Sequence, residues 1–451
     1  MSRSDKLGLV DVPVRAVRRG RAPNCSSSGS MVGIALASLA GAGVVLSVWA
    51  DAYLRWKQRP EGEDPNPPKL RQGDGLLSLE HQGEAALLSL SPEEAARATK
   101  AGALVLPELE APEGALSAPT EVHLNLTERC PAACTGCYLN AGPEREGKEP
   151  ALQELRGQLE QLAEMGVFEV AFGGGEVLLR QDVPELAEYA RELGLTPNLT
   201  TSGFGLDLAV AKRLARVMGQ VNVSLDGLGE TYRAARGWDG SERGLRAIGL
   251  LRAAGVRVGV NTVLSRPLLE TPGALEALGQ AIARAGAQEW QWLRFKPTGR
   301  GTQAWEELAP APEDLDRIWP RLLEMETATG LAMRLDCALM PFLVNAGLAV
   351  QAMETLGVAG CPAGHSLYAR DAHGRWSPCS FAAPEVTTPA QGWQSSPTLK
   401  AWRERAAAPP EPCASCEIQH ICRGGCRVVA AHLAGDALAA DPQCPRVRER
   451  A

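Results

Sequence analysis

The sequence predicts an α/β fold: a partial barrel of six strand–helix units, a cysteine-rich C-terminal region, and an apolar N-terminal segment of membrane-spanning length. Three observations predict it. Between residues 121 and 300, apolar strand-like runs alternate six times with stretches of helical period. Of twelve cysteines, three lie between Cys130 and Cys137 and eight between Cys337 and Cys444, leaving Cys25 apart. Residues 31–50, "MVGIALASLAGAGVVLSVWA", carry no charge over about the length a bilayer-crossing helix requires.

Composition narrows the function classes. A chain of 451 residues suits roughly two or three domains with a sizeable core. With 46 basic against 53 acidic residues and a net charge of −7, no long basic stripe exists to neutralise phosphates, so nucleic acid is not an expected partner. Disulfide scaffolds belong to small, loop-rich secreted domains. Clustered cysteines in a chain this long point instead to metal or metal-cluster ligation in a reducing compartment.

In chain order, residues 1–30 read as disordered or mis-assigned, and 31–50 as a transmembrane helix rather than a signal peptide, since no cleavage site is clearly marked. Basic residues flank it on both sides: Arg3, Lys6, Arg15, Arg18, Arg19 and Arg21 before, Arg55, Lys57 and Arg59 after. The second cluster holds the body in the cytoplasm if translation begins at Met31, a hypothesis that an intact mass retaining residues 1–30 would exclude. A cytoplasmic, unanchored protein is the alternative. Residues 51–75, with "RPEGEDPNPPKLRQGDG", form a Pro-rich linker. Residues 76–118 suggest a hairpin and a helix opening at "SPEE", a small N-terminal subdomain.

The barrel is expected over 119–300. Its strands are "EVHLNLT", "VFEVAFGG", "TPNLTTSG", "VNVSLDG", "VRVGVNTVL" and "EWQWLRFKP". The intervening helices stop near glycines in "EMGV", "ELGL", "AAGV" and "RAGA". Repeated alternation means a parallel sheet with right-handed crossovers, whose chemistry sits after the carboxyl ends of the strands. A helical connection follows over 301–335, then the cysteine-rich domain over 336–446.

Cys130-x3-Cys134-x2-Cys137 leaves the first strand at that end. Three soft ligands suit iron–sulfur or zinc, but a structural zinc closes four protein ligands and no fourth lies in this loop. On a cluster of four irons, three thiolates leave one iron open. This loop, after the first strand of a six-unit barrel, resembles the radical S-adenosylmethionine superfamily, in which the open iron chelates the amino and carboxylate groups of S-adenosylmethionine. The resemblance extends to "GGGEV" after the second strand, and implies that the backbone at Gly174 and Gly175 and the carboxylate of Glu176 receive the methionine ammonium. It further implies Ser224 and Arg236 at the methionine carboxylate, with Arg233 an alternative, and Val263 on the adenine side. Two places depart from the superfamily pattern. Gly136 replaces a frequent aromatic and Val177 a frequent proline, and Tyr138 is a candidate to shield the cluster instead.

Cys361-x12-Gly374-x4-Cys379, Cys413-x2-Cys416-x5-Cys422-x3-Cys426 and Cys444 resemble the SPASM extension of peptide-modifying radical enzymes. On spacing alone, a zinc-ribbon pair is the rival. The resemblance implies two auxiliary 4Fe–4S clusters, one on Cys361, Cys379 and Cys426, the other on Cys413, Cys416, Cys422 and Cys444. Cys337 is a candidate fourth thiolate for the first; the alternative is a core cysteine. The implied activity is reductive cleavage of S-adenosylmethionine to a 5'-deoxyadenosyl radical and oxidative modification of a substrate. A ribosomally made peptide leads, a tetrapyrrole side chain or a sulfatase-maturase-like substrate is the alternative, and a membrane-tethered electron-transfer protein is the non-enzyme alternative. Sulfatase maturases carry an aspartate where "PCSF" has Ser380, which counts against them. A low-potential donor such as ferredoxin or flavodoxin is the implied partner. Along "EWQWLRFKP", Arg294 and Lys296 are expected either to reach the barrel mouth or to snorkel from packed stems.

Overall fold

The computed structural model describes residues 15–17, 68–81, 84–90, 92–100, 102–143, 149–346 and 360–450. The 31–50 run expected to cross a membrane lies outside the described residues; among these, no helix is long and apolar enough to do so.

A small sheet comes first. Its strands β1 (Arg15–Val17), β2 (Lys69–Arg71), β3 (Leu76–His81), β4 (Glu84–Ser89) and β5 (Leu104–Val105) run in the order β1-β4-β3-β2-β5. The expected hairpin is β3 and β4, and the expected helix is Pro92–Lys100. Strand β2 stands where a linker was anticipated, because its buried Arg71 ties it to the barrel. The guanidinium donates to Ala118 O at 2.6 Å, pairs with Asp74 at 3.2 Å and lies over the Phe168 ring. Phe168 immediately precedes a barrel strand, so this sheet covers the amino ends of the barrel strands, opposite the end that carries chemistry.

The six expected strands all form: β6 (Glu121–Thr127), β7 (Glu169–Gly174), β8 (Thr196–Thr201), β9 (Gln220–Ser224), β10 (Val258–Leu264) and β11 (Glu289–Arg294). Each pairs in parallel with the next. The alternation of each strand sets its two faces. Val122, Leu124 and Leu126 of β6 pack outward against Leu155, Leu159 and Leu162 of the helix Leu152–Glu164, an i, i+4, i+7 stripe. Many inward positions are polar, including Asn125, Asn222, Ser224, Asn261 and Gln291. Helix stops fall where the glycines predict. Gly286, at φ 90°, caps Ala274–Ala285 with its N–H on Ala283 O and Ile282 O.

The sheet extends beyond six strands on both sides. β12 (Ala332–Leu335) adds in parallel to β11, inside the stretch expected to be a helical connection. β13 (Leu367–Arg370) adds in parallel to β6, and β14 (Trp376–Ser377) turns back antiparallel on it. The full order is β12-β11-β10-β9-β8-β7-β6-β13-β14. The cysteine-rich region is thus stitched into the barrel sheet itself, beside the strand that carries the first three cysteines.

Candidate active site and metal centres

The loop leaving β6 is built by backbone contacts. Cys130 N donates to Gly142 O at 2.9 Å, and Thr135 N donates to Arg236 O at 3.2 Å. Arg300 holds it from the far side of the barrel, its Nε on Cys134 O and Nη2 on Ala141 O, both at 2.8 Å. Gly136 has a steric reason. A Cβ there would lie 2.8 Å from the Phe295 ring and 3.1 Å from Leu308, so the aromatic expected in the loop is replaced by one arriving from the end of β11. Tyr138 does not stand alone over the loop; its ring packs 4.9 Å from that of Phe381, two residues after Cys379. Phe381 in turn lies 4.5 Å from Lys296 Nζ. Ser380 Oγ is 2.9 Å from His123 Nδ1, inside the barrel.

Glycines after β7 let its end lie against a neighbouring backbone. Cβ atoms on Gly174 and Gly175 would each come within 2.3 Å of a carbonyl, Thr127 O and Arg129 O, and Gly174 adopts φ 125°. Gly175 N and Glu176 N donate to those same two carbonyls. The run therefore presses the end of β7 onto the backbone from which the cysteine loop departs. Glu176 is fully buried, and burial pushes its carboxyl pKa up. It accepts from the β8 end and from its own turn: Oε1 takes Thr201 Oγ1 at 2.6 Å and Leu178 N at 3.2 Å, and Oε2 takes Ser202 N and Oγ. These donors hold the carboxylate at the strand end where the resemblance expects an ammonium. A fully buried carboxylate has to be satisfied within the protein.

Ser224 ends β9 half-buried on the inner face, opposite Asn261. Val263 N donates at 2.8 Å to Asp226 Oδ1, whose Oδ2 pairs with Arg236 Nε at 2.5 Å. Burial opposes the Arg236 charge, but Asp226 and Cys134 more than offset it and hold its pKa well above the ordinary value. Arg236 also donates through Nη1 to Cys134 Sγ at 3.5 Å. Arg233 is 58 % exposed and pairs with Glu230.

The eight C-terminal thiols fall into two neighbourhoods. Burial, then Asp336 and Cys361, pushes the Cys337 thiol far up, with Cys426 contributing; burial, then Cys361, pushes Cys379 up to about 12. Cys337, Cys361, Cys379 and Cys426 therefore share one environment. Cys413, Cys416, Cys422 and Cys444 line a single cavity with Pro341, Gly424 and Asp441. Burial there raises Cys422 and lifts Cys444 to about 11.

These residues fit iron–sulfur clusters. Buried thiols held this far from ionisation become thiolates only if a bound cation replaces their protons. In a cluster each thiolate ends on its own iron, and each set of four supplies that number of ligands.

Arg294 and Lys296 are not at the mouth and do not snorkel. Arg294 is buried in a bidentate pair with Asp441, Nη1 to Oδ2 at 2.5 Å and Nη2 to Oδ1 at 3.0 Å. Lys296 pairs with Asp336, whose Oδ1 accepts from Cys337 Sγ at 3.3 Å. The end of β11 meets the cysteine-rich region rather than solvent, and that contact replaces water for both cations. Although burial works against the ammonium, Asp336, Cys426 and Cys337 keep its pKa above the usual value. Asp226, Asp336, Asp441, Trp238 and Phe295 escaped sequence reasoning. Asp441 had a signal in standing three residues before Cys444.

Comparison with known proteins agrees with this geometry. The family model of the radical SAM superfamily matches residues 124–269. A PqqA peptide cyclase of Streptomyces rochei is 31% identical over 351 residues, covering 73% of this chain and 90% of that protein. The mycofactocin maturase MftC of Mycobacterium ulcerans is 30% identical over 347 residues, covering 74% and 89%. Among solved structures, Streptococcus suis SuiB bound to S-adenosylmethionine superposes with a TM-score of 0.61 at 17% identity, over 78% of this chain and 80% of that one. Native anSMEcpe with bound AdoMet gives 0.57 at 17% identity, over 73% and 95%. At such identities these two speak for the fold alone. Kinship of about 30% identity over nearly three quarters of the chain carries the assignment: the chain belongs to the radical SAM superfamily.

Proposed function

We propose that the protein is a radical S-adenosylmethionine enzyme that oxidatively modifies a ribosomally made peptide, forming a crosslink or thioether. The observation that carries this reading is the sorting of eleven cysteines into a set of three at a barrel strand's carboxyl end and two sets of four in the C-terminal region. Cys130, Cys134 and Cys137 would hold the cluster that binds S-adenosylmethionine. Cys337, Cys361, Cys379 and Cys426 would hold one auxiliary cluster, and Cys413, Cys416, Cys422 and Cys444 the second. When bound, the three-thiolate cluster and S-adenosylmethionine supply an electron and a 5'-deoxyadenosyl radical able to take a hydrogen atom from an unactivated carbon.

The chain's own residues do the rest. Ser224 and the strand end at Val263 line the inner face where S-adenosylmethionine would lie. Tyr138 and Phe381 pack between the first cysteine loop and Cys379, where they would help to shield the first cluster. The peptide is supported by relatives whose names record peptide cyclisation and maturation, and by the fold shared with SuiB, solved bound to its precursor peptide SuiA. The 31–50 run would tether the body to a membrane with its clusters facing the cytoplasm, where ferredoxin or flavodoxin could serve as donor.

Anaerobic reconstitution with S-adenosylmethionine and a reductant should release 5'-deoxyadenosine, and Cys134→Ala should abolish the release. Co-expression with a short precursor peptide encoded beside the gene should remove two hydrogens from that peptide per modification, read by mass. Clusters present without any 5'-deoxyadenosine would favour electron transfer as the function.

A further inference from the structure

Behind the cysteine loop lies a pair of N–H donors aimed at a ligand sulfur, a contact the functional reading above does not use. Cys134 is buried, 6% exposed, and its sulfur faces two N–H donors. Trp238 Nε1 is 3.4 Å from Cys134 Sγ, and Arg236 Nη1 is 3.5 Å from it. Both donors are held from behind. The Trp238 ring packs 5.5 Å from Tyr232 and 5.6 Å from Phe204, and the Arg243 guanidinium lies 5.0 Å from its centre. Arg236 is fixed by Asp226, and its carbonyl accepts from Thr135 N beside Cys134.

We propose that Trp238 and Arg236 are positioning residues that set the reduction potential of the first cluster by hydrogen-bonding one of its three ligand sulfurs. This rests on the reading that Cys130, Cys134 and Cys137 hold that cluster. Reduction adds an electron to the cluster and its thiolates, so an N–H aimed at a ligand sulfur stabilises the reduced form more than the oxidised one. Water is kept from a sulfur this buried, so no solvent donor replaces one that is removed, and the low local dielectric strengthens each bond. The Arg236 charge is largely cancelled by Asp226, which leaves the two N–H dipoles as the net influence. The direction is fixed: the pair raises the potential and so brings the cluster nearer the reach of a biological donor.

The test is a potentiometric EPR titration of the full-length, reconstituted protein, following the reduced signal whose shape changes when S-adenosylmethionine is added. Trp238→Phe keeps the ring packing and removes only the N–H. Its midpoint should move to more negative potential, so that at the wild-type midpoint the reduced-to-oxidised ratio falls at least threefold. Phe204→Leu loosens the packing that steadies the ring while leaving both donors, and should shift the midpoint the same way by less. A Trp238→Phe midpoint that is unchanged or more positive, at full iron and sulfide content, overturns the proposal, as does a Phe204→Leu shift as large as that of Trp238→Phe. If no wild-type signal responds to S-adenosylmethionine, the cluster assignment itself falls first.

Discussion

Gly136 shows how one position in the cysteine loop is decided from across the barrel. The room an aromatic would need is filled by Phe295, which also packs 6.0 Å from Trp305. Gly136→Tyr alone should therefore displace the loop and lower iron content at the first cluster severalfold, because a fixed ring leaves no rotamer free of collision. Combined with Phe295→Ala, the same substitution should recover much of that iron, measured beside the S-adenosylmethionine-responsive EPR signal. Failure of the double variant would mean that glycine is needed for backbone reasons instead. At this scale the sequence was legible where chemistry is written in residue type, as in the eleven cysteines and the glycine-rich strand end. It was not legible where a partner is distant in the chain: nothing near Gly136 names Phe295, and nothing near Arg236 names Cys134.

Elements follow the same division. All six strands from β6 to β11 could be read from the sequence, since each is an apolar run, most of them entered through a glycine. β12 and β13 hid because four residues hardly show alternation and because Arg334 and Arg370 interrupt the apolar pattern. Arg334 pairs with Glu289 of β11 at 2.7 Å, and Arg370 with Glu154 at 2.6 Å, partners set by strand pairing and packing and not by local sequence. The join between β11 and the cysteine-rich region depends on Asp441, which receives both nitrogens of Arg294 and, at 3.0 Å, the N–H of Cys426. Asp441→Asn leaves a buried guanidinium without its counter-charge, which costs about 3–5 kcal/mol. It should lower the denaturant midpoint accordingly and release auxiliary iron before the first cluster. Arg294→Met with Asp441→Leu, which buries neither charge, should recover most of the stability.

For the molecule as a whole, His365 reports the docking of the N-terminal subdomain on the C-terminal region. Its Nδ1–H donates to Gly114 O, and its carbonyl accepts from Leu116 N at 3.1 Å. Burial, followed by the nearby Arg423 charge, depresses its pKa from the ordinary 6.5 to about 4. The unfolded chain then binds a proton that the folded one refuses, so this contribution is complete above pH 6.5 and is lost as pH falls toward 4. Denaturant unfolding from pH 7 to pH 4 should show a decline that His365→Gln flattens. An acid limb identical in the variant would assign the decline to other groups.

β13 also places a clock on the ribosome. Thr120 Oγ1 reaches Ser366 O across 246 residues, so the edge of β6 finds its neighbour only after the cysteine-rich region has emerged. At about 5–20 residues per second that interval is roughly ten to fifty seconds. Throughout it the nascent chain displays an unpaired parallel edge next to three thiols with no metal yet assured. Its maturation in the cell is therefore a race between iron delivery and chain completion, and a host short of cluster-assembly or chaperone capacity should lose the protein to aggregation before it loses the activity of molecules already made.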